Sequence, residues 1–214
     1  MAAGLEPFRG QKGLIVVGLP RGGVPVACEV AMALKVPLDL LIVGKVGVPF
    51  QPEVAMGAIG EGGVVVVNDE VVSAMNITEA QFATISKDAQ VELERRIRRY
   101  RGDRAPLSLV GRTVVIVDDG IATGSTARAA CQVARAKGAA RVVLAVPVAA
   151  AGAMEDLRGF VDELVSLAVV DGPFSVGQCY EQFNQTADEE VVACLERANR
   201  PASRTSEAVS VPSD

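Results

Sequence analysis

The chain has 214 residues, half of them apolar, only 4% aromatic with no Trp, and a net charge of −5. That suffices for one well-buried domain with a core of Val, Ala, Leu and Ile. The absence of His removes Ser-His-Asp hydrolases, Cys-His proteases and His-ligated zinc, and the negative charge argues against broad nucleic-acid binding.

In chain order, Leu14–Gly18 reads as a buried strand, followed by a Gly/Pro loop at 18–23. A helix is predicted over 24–34, with Pro25 in its first turn. Residues 38–43 read as a second strand. Residues 44–63 hold six glycines and two prolines and read as a long loop, ahead of a third strand at Val64–Val67. Helical periodicity runs from 78 to 101, with Thr78 as N-cap. Then come a strand at 114–118, a helix at 125–137, a strand at 141–146, a helix near 150–157 and a short strand at 163–168. A last helix is predicted at Asp188–Ala198, capped by Thr186 or Asp188. Residues 201–214, rich in Ser, Pro and Ala, read as a disordered tail, leaving 1–200 as a single domain.

Alternating strands and helices imply an α/β fold with a three-layer parallel sheet. No apolar run reaches membrane-spanning length, and no signal-peptide pattern opens the chain. Cys28, Cys131, Cys179 and Cys194 form no Cys-x-x-Cys pair, so a reducing, cytoplasmic setting is expected.

The most informative stretch is residues 114–126, Val-Val-Ile-Val-Asp-Asp-Gly-Ile-Ala-Thr-Gly-Ser-Thr. A buried strand runs into two adjacent carboxylates, Asp118 and Asp119. Ionised carboxylates accept hydrogen bonds and donate none, which suits a sugar diol. The helix that follows exposes backbone N–H groups and the positive end of its dipole, a ready phosphate site. Thr123, Ser125 and Thr126 add hydroxyl donors, and Gly124 permits close backbone approach. The order suits a phosphorylated ribose. Walker A would need Gly-Lys-Ser/Thr, and no Gly-x-Gly-x-x-Gly follows the strand.

This segment resembles the phosphoribosyl-pyrophosphate (PRPP) loop of type I phosphoribosyltransferases, within a bacterial group of poorly defined substrates. The resemblance extends over roughly residues 14–195. It implies five core parallel strands in the order 3-2-1-4-5, capped by a small hood. The first and fourth core strands are then neighbours, so loops 18–23 and 118–126 face one crevice at the strand C-termini. It further implies transfer of phosphoribose from PRPP to a nitrogen acceptor such as a nucleobase, release of pyrophosphate, a role in nucleotide metabolism, and a homodimer. Mg²⁺ is the implied cofactor, held at Asp118 and Asp119 mostly through PRPP and water. PRPP would be bound by Asp118, Asp119, Gly120, Ile121, Ala122, Thr123, Gly124, Ser125 and Thr126. Relatives commonly open with a longer helical segment than the residues ahead of Leu14 supply, which implies a reduced hood or subunit contact.

Leu19-Pro20-Arg21-Gly22-Gly23 supplies a second strand–loop–helix anion site. Arg21 offers bidentate donors, and Gly22 and Gly23 let backbone N–H groups approach an anion. In the family this loop holds the pyrophosphate, often with a strained peptide bond. Lys45, just past the second strand, is placed to neutralise the departing pyrophosphate; relatives commonly have Arg-Lys where this chain has Gly44-Lys45. Asp118, Asp119, Arg21 and Lys45 are thus the catalytic candidates. The 46–63 loop matches the family's closing lid, with Glu53 and Glu61 as contacts within it or as surface acids. The basic run 94–101 reads as a solvated helix face. It is also the one feature favouring the alternative, a PRPP- or nucleotide-sensing regulator of the same fold that binds nucleic acid. Residues 180–186 (Tyr-Glu-Gln-Phe-Asn-Gln-Thr) resemble a characteristic segment of the same group, with Tyr180 or Phe183 able to stack on a flat base.

Overall fold

A computed structural model describes residues 1–200, with Glu53 described by its backbone alone. The expected tail at 201–214 and the Glu53 side chain therefore lie outside the described residues. Five strands form a parallel sheet: β1 (Leu14–Gly18), β2 (Leu38–Leu40), β6 (Thr113–Val117), β7 (Arg141–Ala150) and β8 (Glu163–Val170). Their order is β2-β1-β6-β7-β8. The first and fourth strands of the sequence reading are neighbours as expected, paired from Leu14↔Thr113 to Gly18↔Val117. The third strand of that reading is not the sheet's edge, which is β2 instead; β8 closes the opposite edge.

Side chains alternate across these strands. Val16, Val115 and Val143 face one core with helices α1 (Gly23–Leu34) and α6 (Asp188–Ala198). Ile15, Ile116 and Leu144 face a second core with α4 (Ser125–Ala136). This is the three-layer arrangement that the alternation of strands and helices implied. A short helix, α5 (Ala151–Leu157), joins β7 to β8.

The expected 44–63 loop is instead a sheet. Strands β3 (Val43–Val48), β4 (Gln51–Gly60) and β5 (Val64–Val67) pair antiparallel in that order. The glycines that suggested a loop serve close packing. A Cβ on Gly57 would lie 2.6 Å from the Val66 carbonyl oxygen, and one on Gly60 would overlap Val133 of α4. Only Gly62 and Gly63, with φ of 86° and 79°, make a true turn. The predicted 38–43 strand is correspondingly split, with the chain crossing between sheets at Leu41 and Ile42.

Helix α3 (Glu79–Arg101) starts at the predicted N-cap, where Thr78 and Gln81 form a capping box. A short α2 (Asp69–Ala74) and a 3₁₀ turn at Ala2–Phe8, both missed in the sequence, precede α3 and β1. The turn buries Leu5 and Phe8. The last residue of α3 overturns two expectations. Arg101 is buried; its Nη1 lies 2.5 Å from Asp39 Oδ1 and its Nη2 donates to the Leu40 carbonyl at 2.8 Å. Its Nε lies 2.6 Å from Glu61 Oε1, an ion pair without hydrogen-bond alignment. Glu61 is therefore no surface acid, and the basic run is no simple solvated face. Arg95 pairs with Glu92, Arg98 with Glu94, and Arg99 with Asp188. Cys28, Cys131 and Cys194 are buried and Cys179 is exposed, all as free thiols.

Candidate functional site

The site begins where β1 and β6 end side by side. Leu19 N–H donates to the Val117 carbonyl at 3.0 Å, so the two following loops leave the sheet together. They interlock. A Cβ on Gly23 would lie 2.6 Å from the Val117 oxygen and 2.7 Å from Asp118 Cα. A Cβ on Gly22 would overlap Asp119 Oδ2 and stand 2.7 Å from its Cγ. Gly22 has φ −58°, which any residue adopts, so space rather than backbone conformation demands glycine here.

The peptide bond between Pro20 and Arg21 is cis. Arg96 of α3 donates from Nη2 to the Pro20 carbonyl and from Nη1 to the Val43 carbonyl, each at 3.2 Å. It ties the 18–23 loop to the start of β3. Arg21 ion-pairs with Asp188 at 3.6 Å, and Asp188 also pairs with Arg99. Asp188 lies in the first turn of α6, after the N-cap Ala187, so it is not the expected helix cap. Arg96 and Asp188 are the positioning groups that the sequence reading missed. A helical arginine within a run of arginines gave no sign of which one faces the loop.

Asp118 and Asp119 sit together at the mouth of β6. The Asp119 amide donates to Asp118 Oδ1 at 3.0 Å. Burial, and then the neighbouring Asp119 charge, push Asp118 up to about 8. Burial raises Asp119 as well, against hydrogen bonds that pull it down. The two titrate as a unit and hold a proton near neutral pH. A carboxyl raised in the folded state contributes stability that is full below its ordinary value of 3.8 and is lost as pH rises through about 8. Thermal unfolding should therefore show wild type losing ground to Asp118→Asn as pH rises across that range. A constant gap between the two would contradict this environment.

Gly124, at φ 75°, is the N-cap of α4 and lends it no side-chain cap. The first N–H groups of a twelve-residue helix thus open onto the loop. Thr123 Oγ1 and Ser125 Oγ lie 3.3 Å apart beside them, and Ile121 anchors the loop by bridging to Ala149. Tyr180 donates its hydroxyl to the Asp119 carbonyl at 2.7 Å, and burial with the Asp119 charge pushes its pKa up to about 12.

Two of the clefts that border the interlocked loops reach the candidate residues on either side. One, of ≈ 380 Å³, is lined by Pro20, Lys45, Arg96 and Thr126. Lys45 thus reaches the crevice, although from within β3 rather than from a loop past the second strand. The other, of ≈ 750 Å³, is lined by Arg21, Gly22, Asp119, Tyr180 and the 182–186 segment. Among the described residues no cluster of three or more His, Cys, Asp or Glu could hold a metal alone. The Asp118–Asp119 pair fits a hard divalent ion only if ligand oxygens complete the coordination.

A family model described as a phosphoribosyl transferase domain matches residues 6–184. A Mycobacterium tuberculosis protein, present in two strains under the name "Putative phosphoribosyl transferase", is 55% identical over 189 residues. That match covers 88% of this chain but 43% of the relative, so the chain spans less than half its length. The crystal structure of TT1426 from Thermus thermophilus superposes with a TM-score of 0.84 at 41% identity, covering 91% of each chain.

Proposed function

The chain belongs to the phosphoribosyl transferase domain family, and on that premise we propose that it transfers phosphoribose from PRPP to a nitrogen acceptor, releasing pyrophosphate. The observation that carries this reading is the interlock of two anion-binding loops, with the Asp119 carboxylate lodged against Gly22. A ligand with phosphate groups at both ends of a ribose matches that spacing of features.

In this reading Asp118 and Asp119 accept hydrogen bonds from the ribose 2′- and 3′-hydroxyls. Gly120, Ile121 and Ala122 carry the chain to the α4 N-terminus, which holds the 5′-phosphate with Thr123, Gly124, Ser125 and Thr126. Arg21 and the Gly22 amide face the pyrophosphate, while the Gly23 amide, expected to join them, donates instead to the Leu19 carbonyl at 3.1 Å; Lys45 neutralises the pyrophosphate from the neighbouring cleft. The C1–O bond breaks and its electron pair leaves with pyrophosphate. The two carboxylates stabilise the positive charge that builds on the ribose. A nitrogen lone pair then attacks C1, and the nitrogen gives up its proton. Positioning and electrostatics supply the acceleration. Mg²⁺, when bound through PRPP oxygens beside Asp118 and Asp119, supplies charge neutralisation of the pyrophosphate. The free thiols support a cytoplasmic setting, and a homodimer completes the proposal. No helix among the described residues is long and apolar enough to cross a membrane. The arginines at 95, 96, 98, 99 and 101 all have partners within the chain, so the basic run lends no support to a nucleic-acid-binding regulator.

The test is pyrophosphate release from PRPP and Mg²⁺ across a panel of purines, pyrimidines and other nitrogen acceptors. Acceleration by at least one acceptor is expected. Absence of PRPP binding by calorimetry, with or without Mg²⁺, would sink the reading. A second expectation concerns Gly22→Ala. The new methyl displaces the Asp119 carboxylate, and misplacement of a reacting group by about 1 Å costs roughly 10²-fold in rate. The variant should lose about that much turnover while its melting temperature changes little. Wild-type turnover would show that the loops are not held together in solution.

A further inference from the structure

We propose that Asp188 is a positioning residue that competes with pyrophosphate for Arg21, and that Arg99 is the second partner that lets Asp188 release it. The inference rests on the PRPP reading above and adds how Arg21 is held before the ligand arrives.

The first observation is an ion pair that leaves its donors open. Arg21 Nη1 stands 3.6 Å from Asp188 Oδ1, and the Arg21 guanidinium donates no hydrogen bond to any described residue. The carboxylate thus holds the charge of Arg21 without using the fork of N–H groups that recognises phosphate oxygens. The Arg21 side chain is 33% exposed and lines the larger cleft, so a polyanion can reach it. Pyrophosphate carries more charge than one carboxylate and offers paired oxygens to the fork, so it draws Arg21 away.

The second is the sharing of Asp188 between two elements. Its other oxygen pairs with Arg99 Nε of α3. The Asp188 side chain is only 14% exposed, and a carboxylate so enclosed is costly to leave without a partner. With Arg99 in place, Arg21 departs and the carboxylate stays paired. The exchange then costs little.

The third is that the surroundings are held by other contacts. Arg96 ties the loop to α3 through the Pro20 and Val43 carbonyls, and Arg95 is committed to Glu92. Glu189 and Glu190 share the first turn of α6 with Asp188 and serve the helix dipole without it. Removing the Asp188 charge therefore acts on what Arg21 can offer a ligand more than on the fold.

Calorimetry with pyrophosphate and with PRPP, each with Mg²⁺, on wild type, Asp188→Asn, Arg99→Gln and the double variant tests this. Asp188→Asn should bind both ligands about three- to fivefold tighter, the size of one partly exposed ion pair removed. Arg99→Gln leaves Arg21 as the one remaining partner of Asp188 among the described residues, and should bind about threefold more weakly. The double variant should match Asp188→Asn within about twofold, because Arg99 acts only through Asp188. A purely structural role for Asp188 gives the opposite sign, weaker binding together with a lower melting temperature. The inference is overturned if Asp188→Asn binds no tighter than wild type. It is equally overturned if the Arg99→Gln loss persists in the double variant, which would place Arg99 on the ligand itself. Failure of wild type to bind either pyrophosphate or PRPP would instead remove the reading on which the inference stands.

Discussion

Replacing Asp118 and Asp119 together by Asn should leave a folded protein that has lost pyrophosphate release from PRPP by about 10³-fold or more. The reason lies in what the pair does in each state. Free, it is a half-buried pair of acids whose burial raises both groups, Asp118 to about 8, so that the pair keeps a proton. In the proposed complex it sheds that proton, accepts two hydroxyl hydrogen bonds and faces a ribose ring gaining positive charge. Asn keeps the size and one acceptor but removes both charges and adds donors that confront the hydroxyls. The unliganded double variant, relieved of two adjacent half-buried acids, should melt no lower than wild type at pH 8. Loss of activity would then not be a folding defect. Calorimetry should show PRPP affinity at least tenfold weaker, and wild-type affinity in this variant would refute the diol role.

The largest expected effect on stability lies away from the site. Arg101→Leu leaves Asp39 and Glu61 buried beside an apolar side chain. Breaking a buried ion pair from one side costs about 3–5 kcal/mol. For a chain of this size that corresponds to a fall in melting temperature on the order of 10 °C. Asp39 also accepts from the amides of Leu40 at 2.8 Å and Leu107 at 2.7 Å, so it cannot simply turn to solvent. A melting temperature within 2 °C of wild type (roughly ≤ 1 kcal/mol) would show that the triad adds nothing net.

Much of the parallel sheet was legible because its information is local. Val114–Val117 and Leu14–Gly18 are β-branched runs without a polar break, and buried parallel strands look like that. The course of the Asp118–Thr126 segment, from strand end through loop to the start of α4, was legible because the apolar run, the glycines and the hydroxyl-bearing helix start are each local signals. The 44–63 segment was not legible. Its glycines were weighed as breakers, yet Gly57 is required by the backbone of the adjacent strand β5, and Gly60 by Val133 of α4, far away in the chain. The Arg101–Asp39–Glu61 triad was hidden for the same reason. Its members are distant in sequence, and each alone looks like surface charge. Lys45 was placed at the right end of the molecule but on the wrong kind of element, since the splitting of 38–43 moves it into β3.

The distribution of thiols gives the experimenter a handle. Cys28, Cys131 and Cys194 are enclosed, and burial pushes Cys131 up to about 12, far from a reactive thiolate. Cys179 alone among the described cysteines faces solvent, one residue before Tyr180 and its bond to the Asp119 backbone. A maleimide dye on the native chain should therefore attach at a single place, at the rim of the larger cleft. Occupancy there could be followed as a change in fluorescence, without engineering a cysteine-free background.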